Sequence, residues 1–223
     1  MTFELVNADW REAAWPEKVD VLLTDPPYSE RTTSGQRTGS SVDQSTIQYT
    51  HMTQEGAEEI AAFWSQRVRW WAIIFGDHVA YRWHEAAWKR AGWYVFAPIG
   101  YVKKNPPPRM CGDGPTTSVE HIMVARPRHR LPKDRSGSRR GDYTAVARVK
   151  SLGVAGMKSV NAVAEILIDY CIDGDTVADP FAGAGTVGAA EKLVPNLHII
   201  GAEIDPKAYD IAVERLKLSP VHL

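Results

Sequence analysis

The sequence predicts a doubly wound α/β fold, a sheet of about seven strands with helices on both faces. Two patterns point to it. Short runs rich in β-branched residues alternate with longer amphipathic stretches, and the alternation recurs from end to end. At 223 residues the chain can bury one substantial core, and no boundary for a second domain is visible, so residues 1–223 read as a single domain. In chain order, Phe3–Asn7 and Val19–Thr24 are the first two strands expected. The helices Gln54–Arg69 and His78–Ala91 follow, separated by the strand Ala72–Phe75. Strands are next expected at Tyr94–Lys103 and Glu120–Ala125. The last part reads as helix Val160–Cys171, strand Thr176–Ala178, helix Thr186–Leu193, strand His198–Ala202 and helix Pro206–Leu216. In each helix apolar residues recur at three and four positions; each strand is a short apolar run.

Composition removes several classes of function. The formal net charge is −1, so any contact with a polyanion must rest on local clusters. Cys111 and Cys171 are the only cysteines. They are too few for a disulfide framework and lack zinc-site spacing, and a reducing cytoplasm is the expected compartment. The N-terminus MTFELVNADW has no basic region or apolar core, and no apolar run approaches the roughly 20 residues that span a bilayer. No membrane and no metal is expected, since the histidines show no ligand spacing either.

Two segments do not join the pattern. Ser29–Thr50, SERTTSGQRTGSSVDQSTIQYT, has almost nothing to bury and is expected to be a mobile surface loop, 29–50. Arg126–Gly141, RPRHRLPKDRSGSRRG, carries seven Lys or Arg against one Asp and is not expected to pack a core. Between them lie Trp70, Trp71, Trp83, Trp88 and Trp93. At helical and strand spacing these are expected in the core rather than as base-stacking platforms.

TVADPFAGAGTVGAAEKL, from Thr176, reads as strand, glycine turn and helix, with Gly183, Gly185 and Gly188 in G-x-G-x-x-G spacing. Such glycines let the backbone turn tightly and approach a ligand. The next strand ends in Glu203, 20 positions after Gly183, where an acid grips a ribose diol. Taken alone this is also the fingerprint of a dinucleotide-binding oxidoreductase. Asp179-Pro180-Phe181 before the turn, and the lack of a hydride-transfer site upstream, weaken that reading.

LLTDPPYSER, residues 22–31, runs an apolar strand into an acid, two prolines and an aromatic ring. In a doubly wound sheet ligands sit beyond the carboxyl ends of the strands, so Asp25 and Asp179, 154 positions apart, are expected to face one pocket. TDPPYS resembles the catalytic motif of amino-group DNA methyltransferases, and VADPFAGAGTVGAAEKL followed by IIGAEIDPKAYDIAVERL resembles their cofactor segment. Catalytic motif first and cofactor motif last is the order of the β class, a circular permutation of the Rossmann-like methyltransferase sheet. FELVNADWREA and IGYVKKNPPPRMCGDGPTTSVEHIMVARP extend the likeness over most of the chain. One stretch departs from the family: its His-Pro-Thr-x-Lys-Pro-like run is AGMKSV here, Ala155–Val160.

The chemistry accounts for the motif. The lone pair of a base's exocyclic amine is delocalised into the ring and must be localised before it attacks. A carboxylate at Asp25 and the Pro26 carbonyl can each accept one N–H, aiming the lone pair at a methyl donor. Prolines have no competing N–H and fix the carbonyl's direction. The Tyr28 ring offers a flat face to a base that has left the duplex. Neither cysteine follows proline, which excludes the cysteine-nucleophile route to C5 of cytosine.

The resemblance implies S-adenosylmethionine as cofactor, DNA as partner and N6 of a flipped adenine as acceptor, because Asp at the first motif position leans toward adenine; cytosine N4 is the alternative. It assigns Asp25, Pro26, Pro27 and Tyr28 to catalysis. It assigns Asp9, Asp179, Phe181, Gly183, Gly185, Thr186 and Glu203 to the cofactor. Target recognition falls on a short basic segment, 126–157, with Arg126, Arg128, Arg130, Lys133, Arg135, Arg139 and Arg140 on the nucleic acid. Lys104 and Glu120 are supports without an assigned role. A recognition region this small implies a short target, loose specificity or help from a second copy of the chain, as a homodimer. A noncatalytic nucleic-acid-binding subunit is the remaining rival, against which the intact DPPY argues.

Overall fold

The computed structural model describes residues 2–32, 51–104, 106, 114–129, 131–145, 152, 154, 156–194 and 196–217. Nine strands form one sheet: β1 (Thr2–Asn7), β2 (Val19–Thr24), β3 (Val68–Gly76), β4 (Tyr94–Val95), β5 (Ile99–Lys103), β6 (Val119–Arg126), β7 (Asp142–Ala145), β8 (Thr176–Asp179) and β9 (His198–Glu203). The helices are α1 (Gln54–Trp64), α2 (Ala80–Arg90), α3 (Val160–Tyr170), α4 (Thr186–Glu191) and α5 (Pro206–Leu216).

The strand order is β1-β9-β8-β2-β3-β6-β5-β7, with β4 also paired to β6. From β1 to β3 the strands are parallel. β6 runs against β3, β5 runs against β6, and β7 runs parallel to β5. The sheet is therefore mixed and larger than the seven strands expected. Two local causes account for the difference. The strand expected over Tyr94–Lys103 is broken before Ile99, where Pro98 has no N–H to give a ladder. Directly after the basic run Arg126–Gly141 comes β7, an additional strand whose Tyr143 and Ala145 are buried.

Alternation along the strands fills both faces. Val21, Leu23, Ile73 and Phe75 pack toward α3 and α4, whereas Leu22, Ala72 and Ile74 pack toward α1 and α2. Trp71, Trp88 and Trp93 are buried and Trp70 and Trp83 are packed against these cores, as their spacing implies. α1 stops at Trp64, short of the expected Arg69, because Val68 onward is drawn into β3. Capping sets the helix starts: Thr53 accepts from Gly56 N, Ser159 from Ala162 N, and Asp205 from Lys207 N with Pro206 behind it. Among the described residues no helix is long and apolar enough to cross a membrane.

Candidate active site

Each of the five parallel strands runs into an acid at or just beyond its carboxyl end: Asp9 after β1, Glu203 on β9, Asp179 on β8, Asp25 after β2 and Asp77 after β3. The chain builds outward in opposite directions from β8 and from β2, so the crevice between those two strands is the point where the strand order reverses. Asp179 and Asp25 flank it. Thr24 Oγ1 donates to Asp179 Oδ1 at 2.8 Å, tying the two strand ends across 155 positions of sequence.

On the glycine side, Gly183 N donates to Glu203 Oε2 at 2.7 Å and Asp205 N donates to Oε1 at 2.8 Å. The turn and the acid of the next strand thus form one wall. Gly183 has a φ of +52°, and a Cβ there would meet no atom within 4 Å, leaving open space over the turn. Gly185 has a φ of +71°, and its missing Cβ makes room for Leu216 and Ala212 of α5. Gly188 likewise makes room for Leu216 and Phe3. Phe181 N donates to Asp179 Oδ1 at 3.3 Å, and its ring lies 6.3 Å from Trp10. Thr186 opens α4. Asp9 accepts from the Arg11 side chain at 3.0 Å, with Glu59 on the far side of the same guanidinium. An acid at ribose range, an open glycine turn and aromatic rings on one crevice suit a nucleoside-containing cofactor. Burial pushes the Asp179 carboxyl up to about 7.

On the DPPY side, the Asp25 side chain keeps 29% of its exposure, yet its Oδ1 is sealed from solvent and has no hydrogen-bond partner among the described residues. Its Oδ2 is ion-paired with Lys158 Nζ. That ammonium also lies 3.3 Å from Glu120 Oε2 and 5.0 Å above the Tyr28 ring. Tyr28 OH donates to Glu120 Oε2 at 2.7 Å, and Lys103 pairs with Oε1. Burial pushes the Asp25 carboxyl upward, with Lys158 the largest opposing influence. Burial acts on Glu120 in the same direction, but Lys158 and Lys103 more than offset it and hold that carboxyl below its ordinary value.

Sequence reasoning missed two residues here and left a third without a role. Glu120 proves to be the acceptor for Tyr28 and both lysines. Lys158, from the AGMKSV stretch, carries no spacing signal. Asp77 does carry one, an acid between a strand and a helix. Its Oδ2 accepts from Ser29 N at 3.1 Å, Ser29 Oγ at 2.5 Å and Thr32 Oγ1 at 2.5 Å, while its Oδ1 caps α2 through Val79 N and Ala80 N. Ser29 and Thr32, at the start of the stretch expected as a mobile loop, are thus bonded to Asp77; residues 33–50 lie outside the described residues.

The basic run is not brought to this pocket. β6 runs antiparallel to β3, so Arg126 emerges beside the start of β3, at the end of the sheet opposite Asp25. Arg135 is buried and paired with Asp175, which precedes β8 at that same end. Arg139 lies over Trp71, 4.3 Å from the ring centre, and donates to the carbonyls of Asp169, Arg135 and Gly137. Arg140 pairs with Asp169 at 2.6 Å. Arg126 donates to the carbonyls of Pro127 and His129, and Arg128 to that of Gly92. Lys133 is exposed, and Arg130 lies outside the described residues. The side chains expected on the nucleic acid thus leave the sheet at the end away from Asp25. Five of them, Arg126, Arg128, Arg135, Arg139 and Arg140, contact the protein's own carboxylates, rings or carbonyls.

Fold and site together define a Rossmann-like methyltransferase sheet. Residues 19–214 match the family model described as DNA methylase, and the chain belongs to this N6/N4 amino-methyltransferase family. It is 32% identical over 156 residues to the type II methyltransferase M.Cfr9I of Citrobacter freundii, covering 63% of this chain and 51% of that protein. The chain spans about half the length of the curated relatives it matches. M1.HpyAVI, solved as a complex with SAM, has a TM-score of 0.69 at 22% identity, covering 96% of this chain and 100% of its own. The cytosine-N4-specific PvuII DNA methyltransferase has a TM-score of 0.66 at 10% identity, covering 100% and 89%. At these identities the structural likeness is one of fold.

Proposed function

We propose that the protein transfers the methyl group of S-adenosylmethionine to N6 of an adenine extruded from DNA. The observation that carries this reading is Asp25 Oδ1, a buried acceptor without a partner among the described residues, one residue beyond the Thr24 that is tied to Asp179. A buried carboxylate oxygen left unpaired is costly, and a donor from a ligand removes that cost. Asp25 Oδ1 accepts one N–H of the target amine and the Pro26 carbonyl accepts the other. Pro27 keeps the turn free of a competing N–H. The Tyr28 ring, held by Glu120, stacks on the base. When bound, S-adenosylmethionine supplies an electrophilic methyl on a sulfonium that departs as a neutral thioether. The amine nitrogen forms the new bond to that methyl and then releases one proton, for which the Asp25 carboxylate, its proton affinity raised by burial, is the nearby acceptor. On the cofactor side Gly183, Glu203, Asp179, Phe181 and Asp9 line the path, with Gly185 and Thr186 shaping the turn. Holding both reactants in line supplies much of the acceleration.

Adenine is favoured by the acid at position 25. The test is incubation with methyl-labelled S-adenosylmethionine and, separately, unmethylated duplex DNA, single-stranded DNA and RNA, followed by nucleoside mass spectrometry, with Asp25→Ala in parallel. N6-methyladenine in DNA, lost in the variant, is the expected result. N4-methylcytosine would keep the mechanism and change the base. Cofactor binding without label on any nucleic acid would overturn the acceptor assignment.

A further inference from the structure

The proposed chemistry needs Asp25 and the Tyr28 ring, and both are already covered by one side chain. Lys158 is only 6% exposed, and its ammonium sits between the carboxylates of Asp25 and Glu120. Three aromatic rings surround it, Tyr28 at 5.0 Å, Phe75 at 5.1 Å and Tyr101 at 6.0 Å. A carboxylate that accepts N–H and a ring face that attracts it are the two features that would receive a target amine. Lys158 holds Oδ2 and the amine is assigned to Oδ1, so an ammonium and an amine compete for one carboxylate and one ring face.

We propose that Lys158 is a tethered stand-in for the substrate amine: it pairs with Asp25 Oδ2 and covers the Tyr28 face while no base is present, keeps Asp25 ionised there, and yields that face by moving to Glu120. The inference rests on the reading of Asp25 as the amine acceptor. Its backbone anchor is firm, since Ser159 N donates to Tyr101 OH at 2.9 Å and Ser159 caps α3. Its head is not confined to one partner, because Glu120 Oε2 at 3.3 Å and the Gly156 carbonyl at 3.4 Å offer a second seat. The remaining charged and titratable groups around it are Tyr28 beyond β2, Lys103 and Tyr101 on β5, and Asp179 on β8.

Removing the cation leaves Asp25 buried and facing the negative charge of Glu120, which shifts the pocket toward holding a proton on Asp25. Lys158 is thus a positioning residue that acts through Asp25. The experiment follows the Asp25 carboxyl carbon by ¹³C NMR across pH, assigned with Asp25→Asn, alongside the pH profile of kcat/KM for methylation. Lys158→Met is expected to raise the Asp25 midpoint by at least about one pH unit, to carry the acid limb of kcat/KM with it, and to lower KM for the target at pH values above that limb. Lys158→Arg is expected to restore the acid limb. Glu120→Gln added to Lys158→Met is expected to bring the midpoint part of the way back. An unmoved midpoint in folded Lys158→Met would overturn the proposal. Should that single variant fail to fold, the charge-balanced pair Lys158→Met/Glu120→Gln reads the same midpoint, and one at or below the wild-type value would also overturn it. A wild-type protein without methyl transfer would remove the functional reading instead, while the NMR titration still reports on Lys158.

Discussion

Asp179→Asn is expected to stabilise the protein at alkaline pH and to leave it nearly unchanged at acid pH. Asp179 is 3% exposed and, among the described residues, accepts from Thr24 Oγ1 at 2.8 Å and Phe181 N at 3.3 Å. Burial is the main reason its carboxyl rises from 3.8 to about 7, and the negative charges of Asp25 and Glu203 add to it. A carboxyl raised on folding takes up a proton as the chain folds. Its contribution to stability is therefore full below about pH 4 and is lost as pH rises through about 7. At about 1.36 kcal/mol per pH unit the shift is worth a ceiling of about 4 kcal/mol. Relaxation of the pocket around the charge lowers that figure. Asparagine has the same shape, carries no charge and can still accept from Thr24. A gain of at least about 1 kcal/mol at pH 8 is expected, or about 2–4 °C in Tm for a domain of this size. Urea or thermal melts of both proteins at pH 4, 6 and 8 provide the test. A difference between them that does not grow with pH would refute the reasoning.

Arg135→Met is expected to cost about 3–5 kcal/mol, because it leaves the buried Asp175 carboxylate without its counterion. The same change should leave kcat/KM for methylation in place, since the pair lies at the far end of the sheet; weakened DNA binding with an unchanged melt would return this arginine to the nucleic acid. Gly185→Ala is expected to melt below Gly183→Ala. Both carry the cost of a left-handed backbone, about 1–2 kcal/mol, but only at Gly185 would the new Cβ sit 2.7 Å from Leu216 Cδ1. Calorimetry with S-adenosylhomocysteine should show measurable loss of affinity in Gly183→Ala, whose open space faces the crevice.

The parts of the molecule that were legible in the sequence are those decided by local pattern. The bounds of Val19–Thr24 and Pro206–Leu216 emerge as expected, because each is a dense apolar run closed by an acid, a proline or a change of period. DPPY and the glycine turn were legible as motifs, and their meeting followed from the rule that ligands gather at strand carboxyl ends. Direction was not legible. Counting seven cations between Arg126 and Gly141 says nothing of which end of the sheet they leave from, and that depends on β6 pairing antiparallel to β3. Lys158 was opaque for a related reason. Its partners Asp25 and Glu120 lie 133 and 38 positions away, and AGMKSV has neither periodicity nor a spaced ligand set to mark it.

The fastening at Ser29 and Met52 bears on how the Tyr28 ring is held. Met52 N donates to the Tyr28 carbonyl at 2.9 Å, and Ser29 and Met52 form a bridge while Asp77 grips Ser29 and Thr32 from below. Ser29, Thr32 and Met52 are thus held at a single clasp beside the pocket. The clasp joins the backbone that carries the Tyr28 ring to Met52 and to Asp77, so loosening either contact would reach the pocket through that ring.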